Sequence, residues 1–214
     1  MRVTLRRRSS LISPNIITEP TTEAVSLTEL KEQARIDSSD ENTVLAIYQT
    51  AARVYYERRT GRTLHETELE LVLDRFLAVS VELPRATPLI SITSIKYFDE
   101  DGTEATFGAA NYIADTWKLP GAVALATNAS WPSFTPYPVA PVRIRYKAGI
   151  ETASPVTEVD AADKLPILLL AAALYENREA VNVQDASSIA QISVKYGVEA
   201  FIALRKVAHL FPNE

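Results

Sequence analysis

The sequence contains no cysteine, one methionine, two histidines and only six glycines among its 214 residues. Without cysteine there can be no disulfide framework, no thiolate metal site and no thiol redox chemistry, and nothing demands an oxidising compartment. The two histidines, His65 and His209, lack any neighbouring His, Cys or spaced acid that would give a zinc or iron pattern, so both are expected at surface or rim positions. The glycines are scattered singly, which excludes a glycine-rich phosphate loop, and no serine stands in a Gly-x-Ser-x-Gly turn. Long apolar runs are also missing. The longest, Leu165–Tyr175, has 11 residues and includes a proline, too short to cross a bilayer. The basic N-terminal stretch has no apolar segment behind it and does not read as a secretory signal, so a soluble protein made inside the cell is expected. A formal net charge of −5 argues against a general nucleic-acid or membrane-surface binder.

What is present suffices for a folded body. Apolar residues make up 47% and charged residues 23%, close to globular averages. The length suits one core with an elaboration. Residues 1–23 carry Pro14, Pro20 and many Ser and Thr, with a basic head of Arg2, Arg6, Arg7 and Arg8. This segment reads as an extended basic arm: either a solvated tail, disordered in the free subunit, or an arm that orders on a partner.

A helical body is expected over 24–63 and again over 160–214. Ser26 with Glu29 forms a capping box, and Ser38 with Glu41 suggests a second. Val44, Tyr48, Ala51 and Tyr55 then recur at helical steps with Leu45 and Ala52 beside them, and Gly61 marks the stop. From 64 to 150 the period becomes two. Leu69, Leu71 and Leu73 alternate with acids, as do Val142, Ile144 and Tyr146 with Arg143, Arg145 and Lys147. Ile90–Tyr97 slips phase near Ser94, as at a bulge, and Asp101-Gly102 supplies a tight turn in which both central residues need positive φ. About six short strands forming one antiparallel β unit are expected. Residues 151–162 read as an acidic linker. Asp163 then caps a third helix that tolerates Pro166 in its first turn, and a last helix carries Val198, Phe201, Leu204, Ala208 and Phe211 on one stripe. The fold class is α+β: a four-helix body, two helices N-terminal and two C-terminal, with an inserted antiparallel β unit.

No catalytic constellation emerges. Asp99–Gly102 places acids before a glycine as a calcium loop does, but the glutamate such a loop needs is replaced by Gly108, so a hairpin turn is the better reading. Arg143, Arg145 and Lys147 read as a solvated strand face. Two charge clusters are less bland. Glu57, Arg58 and Arg59 sit beside Tyr55 and Tyr56, an Arg/Tyr mixture enriched at protein interfaces. Glu176, Arg178 and Glu179 end an otherwise apolar helix, "LPILLLAAALYENREAV". Exposed ion pairs contribute only about 0–1 kcal/mol, so stability gives weak reason for such density, whereas rim charges set a partner's register. These six residues are candidates for a subunit interface.

The order of these segments resembles the head–tail connector (adaptor) proteins of tailed bacteriophages and prophage-related particles. The opening "VSLTELKEQARIDSSDENTVLAIYQTAARVYYERRTGR" carries Leu27, Lys31, Arg35, Ile36, Asp37, Asp40, Glu41, Tyr56, Thr60 and Gly61 at the family's spacing. Leu83-Pro84-Arg85, Asp99–Gly102, "NASWP", "VRIRYKAG", "LPILLLAAALYENREA" and "YGVEAFIALRKV" continue the likeness over roughly residues 24–208. The resemblance implies a structural, non-enzymatic ring subunit of the virion, made in the bacterial host cytoplasm and needing no cofactor. It implies self-association, commonly as a dodecamer, beneath a portal and above a stopper or tail-terminator protein. It also implies DNA passing through the lumen without sequence-specific binding. The long basic arm departs from the family's pattern, and its composition makes Arg2, Arg6, Arg7 and Arg8 the expected portal-binding arm. Two rivals remain: a DNA-binding accessory protein using its basic arm and the Arg143/Arg145/Lys147 strand, and an unrecognised hydrolase.

Overall fold

The computed structural model describes residues 14–76, 79–151, 158–177 and 197–207. In chain order these form β1 (Asn15–Thr18), α1 (Leu27–Ala34), α2 (Asn42–Thr60), β2 (Thr67–Leu73), β3 (Ser80–Glu82), β4 (Leu89–Phe98), β5 (Glu104–Thr106), β6 (Tyr112–Asp115), β7 (Ala122–Leu125), β8 (Val142–Ala148), α3 (Ala161–Glu176) and α4 (Val198–Arg205). The class is α+β, with antiparallel sheets.

The expected capping box closes α1. The Glu29 carboxylate accepts the Ser26 N–H at 2.5 Å, and the Ser26 hydroxyl accepts the Glu29 N–H at 3.1 Å. The second box does not form. Ser38 Oγ accepts the Asp40 N–H instead, and α2 starts at Asn42 after an N-cap, Glu41, that makes no side-chain bond to the helix. Gly61 ends α2 with φ 73°, a left-handed conformation in which a side chain would be strained. The cap of α3 is Asp160, which accepts the Ala162 N–H. Asp163 lies inside the helix and is buried, and Pro166 falls beyond the first turn.

The β region is antiparallel, as expected, and consists of two sheets. Five strands run in the order β1-β2-β8-β4-β5 and three in the order β3-β7-β6, all pairs antiparallel. The alternation in β2 and β8 buries Leu69, Leu71, Leu73, Val142, Ile144 and Tyr146. These join Val81 and Val123 of the small sheet, and Leu83 just after β3, in one core. Each such side chain contributes about 1.5–3 kcal/mol by leaving water. The register of β4 on β8 shifts between Ile92 and Ser94, where the sequence slips phase. The following turn needs only one positive φ, at Gly102 (79°), because the Asp99 carboxylate accepts the N–H groups of Asp101 and Thr103 and Asp99 O accepts the Gly102 N–H.

A further correction concerns the arm. Residues 15–18 pair with β2 as an edge strand, because β2 offers a free row of backbone groups that an extended segment satisfies. Residues 1–13, including Arg2, Arg6, Arg7 and Arg8, lie outside the described residues, as do Ala208 and Phe211 of the expected last stripe.

The helices gather a separate core around Leu30, Leu45, Ala52, Tyr56, Ile167, Leu170 and Ile202. The chain crosses between the two cores at Leu64–Glu66 and returns at Ala148–Ile150. The crossings bond to each other: Glu66 N–H to Ile150 O at 3.0 Å and Ile150 N–H to Leu64 O at 3.2 Å. Gly149 takes φ 105°, and a Cβ there would lie 2.2 Å from His65 O. Only glycine fits so close an approach.

Candidate assembly surface

The long helix α2 buries an unexpected face. Its inward row is Leu45, Gln49, Ala52, Arg53, Tyr56, Glu57 and Thr60. Gln49, Arg53 and Glu57 follow at four-residue steps, so one inner ridge is polar. Each polar group has a partner. Gln49 donates to Val25 O. Arg53 bonds Glu23 at 2.8 Å and Glu57 at 3.1 Å. Burial disfavours the Arg53 cation, but the carboxylates of Glu23, Glu57 and Glu19 outweigh it and raise its pKa.

Glu57 is the centre of this network. One oxygen accepts Arg53 and, at 2.8 Å, Arg85; the other accepts the Leu64 N–H at 3.0 Å. Arg85 belongs to the β region and holds φ 62°, so the carboxylate ties the helix to the loop before β4. The expectation of Glu57 on an exposed rim is therefore corrected: it is 1% exposed, because two guanidiniums and an orphan N–H of the crossing converge on it.

The neighbouring candidates separate. Arg59 pairs with Glu199 of α4 at 2.8 Å, and Glu199 also accepts the Tyr55 hydroxyl at 3.0 Å, so this charge holds the chain's own last helix. Arg58 is exposed on the outer face of α2. Glu176 is exposed at the end of α3, where the Asn177 N–H and side chain both donate to Ala173 O. Arg178 and Glu179 lie outside the described residues.

Asp163 ties α3 to α2 and α4. It accepts the Tyr56 hydroxyl at 2.6 Å and two Arg205 bonds at 2.9 and 2.5 Å. Burial opposes its ionisation, yet the bonds from Arg205 and Tyr56 and the nearby Arg62 hold its carboxyl below the usual value of 3.8. Burial and the Asp163 bond raise the Tyr56 hydroxyl. At the helix start, the Ser26 N–H and Lys164 lower Glu29 to about 2. For both carboxyls the unfolded chain binds more protons at acid pH, so their stabilisation is present above about pH 4.5 and is lost as pH falls towards 2. Half-buried His65, depressed by desolvation, acts in the same direction below its ordinary 6.5. Urea midpoints are expected to drop steeply between pH 4.5 and 2.5; equal midpoints across that range would refute the linkage.

With polar groups turned inward, α2 leaves apolar ones outside. Ile47 is 62% exposed and Val44 38%, and Thr43, Ala46, Thr50 and Ala51 are exposed with them. Ile47, Thr50, Ala51, Val54 and Arg58 line a shallow, open groove along α2. Of the expected apolar positions Val44, Tyr48, Ala51 and Tyr55, with Leu45 and Ala52 beside them, only Leu45 and Ala52 are fully buried. The signal that could have shown which face turns inward is Gln49–Arg53–Glu57, running beside Leu45, Ala52 and Tyr56. Among the described residues the most exposed large apolar side chain is Trp117, 95% exposed in the β6–β7 loop, with Leu204 of α4 next at 82%.

The cations of β8 are engaged within the chain. Arg145 bonds Glu70 at 3.0 Å, Lys147 bonds Glu66 at 2.8 Å, and Arg143 lies 4.6 Å from the centre of the Phe98 ring. Among the described residues no group of three or more His, Cys, Asp or Glu side chains could hold a metal ion, and no helix is long and apolar enough to cross a membrane.

Comparison with known proteins gives this surface a context. Residues 24–118, a little under half of the chain, match the family described as phage gp6-like head-tail connector protein. That span includes α1, α2, Leu83-Pro84-Arg85 and Asp99–Gly102 of the resemblance, while "NASWP", "VRIRYKAG" and the two C-terminal segments lie beyond it. No curated protein matches the chain. Solved structures share its fold nearly end to end. A chain of the neck of an empty gene transfer agent particle, computed with C6 symmetry, has a TM-score of 0.72 and 22% identity, covering 94% of this chain and 100% of that one. A chain of the virion of the native gene transfer agent particle has a TM-score of 0.70 and 22% identity over 92% of this chain and 97% of that one. The neck of the native particle, computed with C12 symmetry, gives 0.66 and 21% over 94% and 100%.

Proposed function

We infer that this chain is a structural head–tail connector subunit of a phage-like virion, whose task is assembly rather than catalysis. The observation that carries the reading is α2: a helix inside the family-matched segment that buries Arg53 and Glu57 and presents Ile47, Val44 and Ala51 to the outside. Apolar side chains left on a helix that has polar groups to spare suit a surface completed by another protein. In the fuller form of this reading, a helical body of two N-terminal and two C-terminal helices packs into a closed ring, one face meeting a different face of the next copy. Twelve copies would sit beneath the portal and above a stopper or tail terminator, with DNA passing through the lumen. Arg58 and Glu176 are its rim charges, joined by Arg178 and Glu179; Arg2, Arg6, Arg7 and Arg8 form the arm that reaches the portal. The symmetric necks that contain chains of the same fold support the ring. The DNA-binding alternative is disfavoured, because Arg145 and Lys147 are already paired with carboxylates and Arg143 lies over Phe98.

The test is electron microscopy and sedimentation of the purified chain, alone and with its portal. Closed rings are expected. Ile47→Asp is expected to weaken assembly at least tenfold while changing subunit stability by no more than about 0.5 kcal/mol, since the site is on the surface. A chain that remains monomeric with and without portal would overturn the reading.

A further inference from the structure

We propose that Trp117 is the anchor of the subunit contact and seats in the α2 groove of the next copy in the ring; this rests on the ring reading above. Trp117 is the most exposed large apolar side chain among the described residues. It stands at the turn between β6 and β7, with Leu119 54% and Ile113 56% exposed nearby, so the loop presents an apolar knob.

The knob is held rigidly. The Asp115 carboxylate accepts the N–H groups of both Trp117 and Lys118 at 3.2 Å. Lys118 pairs with Glu82 of the neighbouring sheet strand at 2.6 Å. At the loop's base, Gly121 exchanges backbone bonds with Ala86 and Leu83, and a Cβ on it would lie 2.3 Å from Leu89 Cβ. An aromatic group fixed in this way loses little freedom on docking, which is the condition for a strong anchor. An indole left in water on a rigid loop has no function in the subunit's own core.

A ring built from one kind of chain needs two different surfaces that fit each other. The shallow α2 groove, lined by Ile47, Thr50, Ala51 and Val54, is the apolar surface that this knob would cover. The knob belongs to the small sheet and the groove to the helical body, so the two surfaces are separated in one subunit and available to two. Their charges are complementary. The groove ends at exposed Arg58, and Thr116 of the knob loop shares a depression with exposed Glu151.

The cysteine-free chain permits a direct test. In a Thr116→Cys, Ala51→Cys double variant, which keeps Trp117 in place, mild oxidation is expected to yield a ladder of disulfide-linked copies ending in a closed ring. Mixing the two single variants is expected to yield linked pairs only. Trp117→Ala is expected to weaken ring formation at least tenfold with the subunit's own unfolding unchanged, and Trp117→Phe to restore most of it. Rings that form normally from Trp117→Ala, or no ladder from a double variant that still assembles, would overturn this contact while leaving the ring reading intact. So would normal rings of Trp117→Ala that fail to engage another neck protein, because the anchor would then serve that partner. If the unmodified chain forms no ring at all, the failure is that of the ring reading, and this contact falls with it.

Discussion

Replacing Glu57 by alanine is expected to destabilise the subunit by about 3–5 kcal/mol, as removal of one partner from a buried charged network does. Arg85, 11% exposed, would lose its carboxylate partner, and Arg53, 5% exposed, would keep only Glu23 and the more distant Glu19. The Leu64 N–H would lose its acceptor as well. Glu57→Gln keeps the shape and an acceptor for Leu64 but removes the charge, so its loss should be smaller. The double variant Glu57→Ala, Arg85→Ala should cost less than the sum of the two single changes, because it also removes a stranded cation. Urea unfolding at neutral pH measures all four chains. A loss below about 1 kcal/mol for Glu57→Ala would mean that water reaches the site and solvates the arginines, contrary to the burial described.

Asp163→Ala is expected to cost about 2–3 kcal/mol, less than Glu57→Ala, because the Arg205 side chain is 27% exposed and can turn to water. Its effect should also be local. Arg205 is the last residue of α4, and its two bonds to Asp163, with a third at 3.0 Å to Asp160, fasten that helix to α3. Hydrogen exchange in residues 198–205 is expected to accelerate at least tenfold while the amides of β2 and β8 stay as protected as the remaining global stability allows. Uniform acceleration throughout the chain would instead mean that α4 does not open separately.

Local rules made much of this fold legible. The Ser26–Glu29 box, the left-handed stop at Gly61, the alternation of Leu69–Leu73 and Val142–Tyr146 and the slip near Ser94 each depend on a few adjacent residues, and all four are found. The failures share a cause in partners distant along the chain. The inner ridge of α2 is Gln49, Arg53 and Glu57, which a hydrophobic period assigns to solvent; only Val25, Glu23 and Arg85 make its burial tolerable. Asp163 looks like a helix cap until Tyr56 and Arg205 arrive from 107 and 42 residues away. β1 carries no alternation of its own and exists because β2 has a free edge. The same limit hid the proposed assembly surface. Charge density drew attention to Glu57 and Arg59, which the chain uses internally, while Ile47 and Trp117 stand out only once burial is known.

The paired crossings between the two cores have a mechanical consequence. A hinge requires slack in the segments that span it, and this joint has little. Leu64–Glu66 and Ala148–Ile150 are bonded to each other, Gly149 touches the backbone of His65, and Glu57 grips the loop at Arg85 from the helical side. A push applied to the β unit would therefore reach α2 as torque on a stiff lever rather than being absorbed by bending. The outer face of α2 would turn with it, so neighbours gripping that face would share the load around their circle.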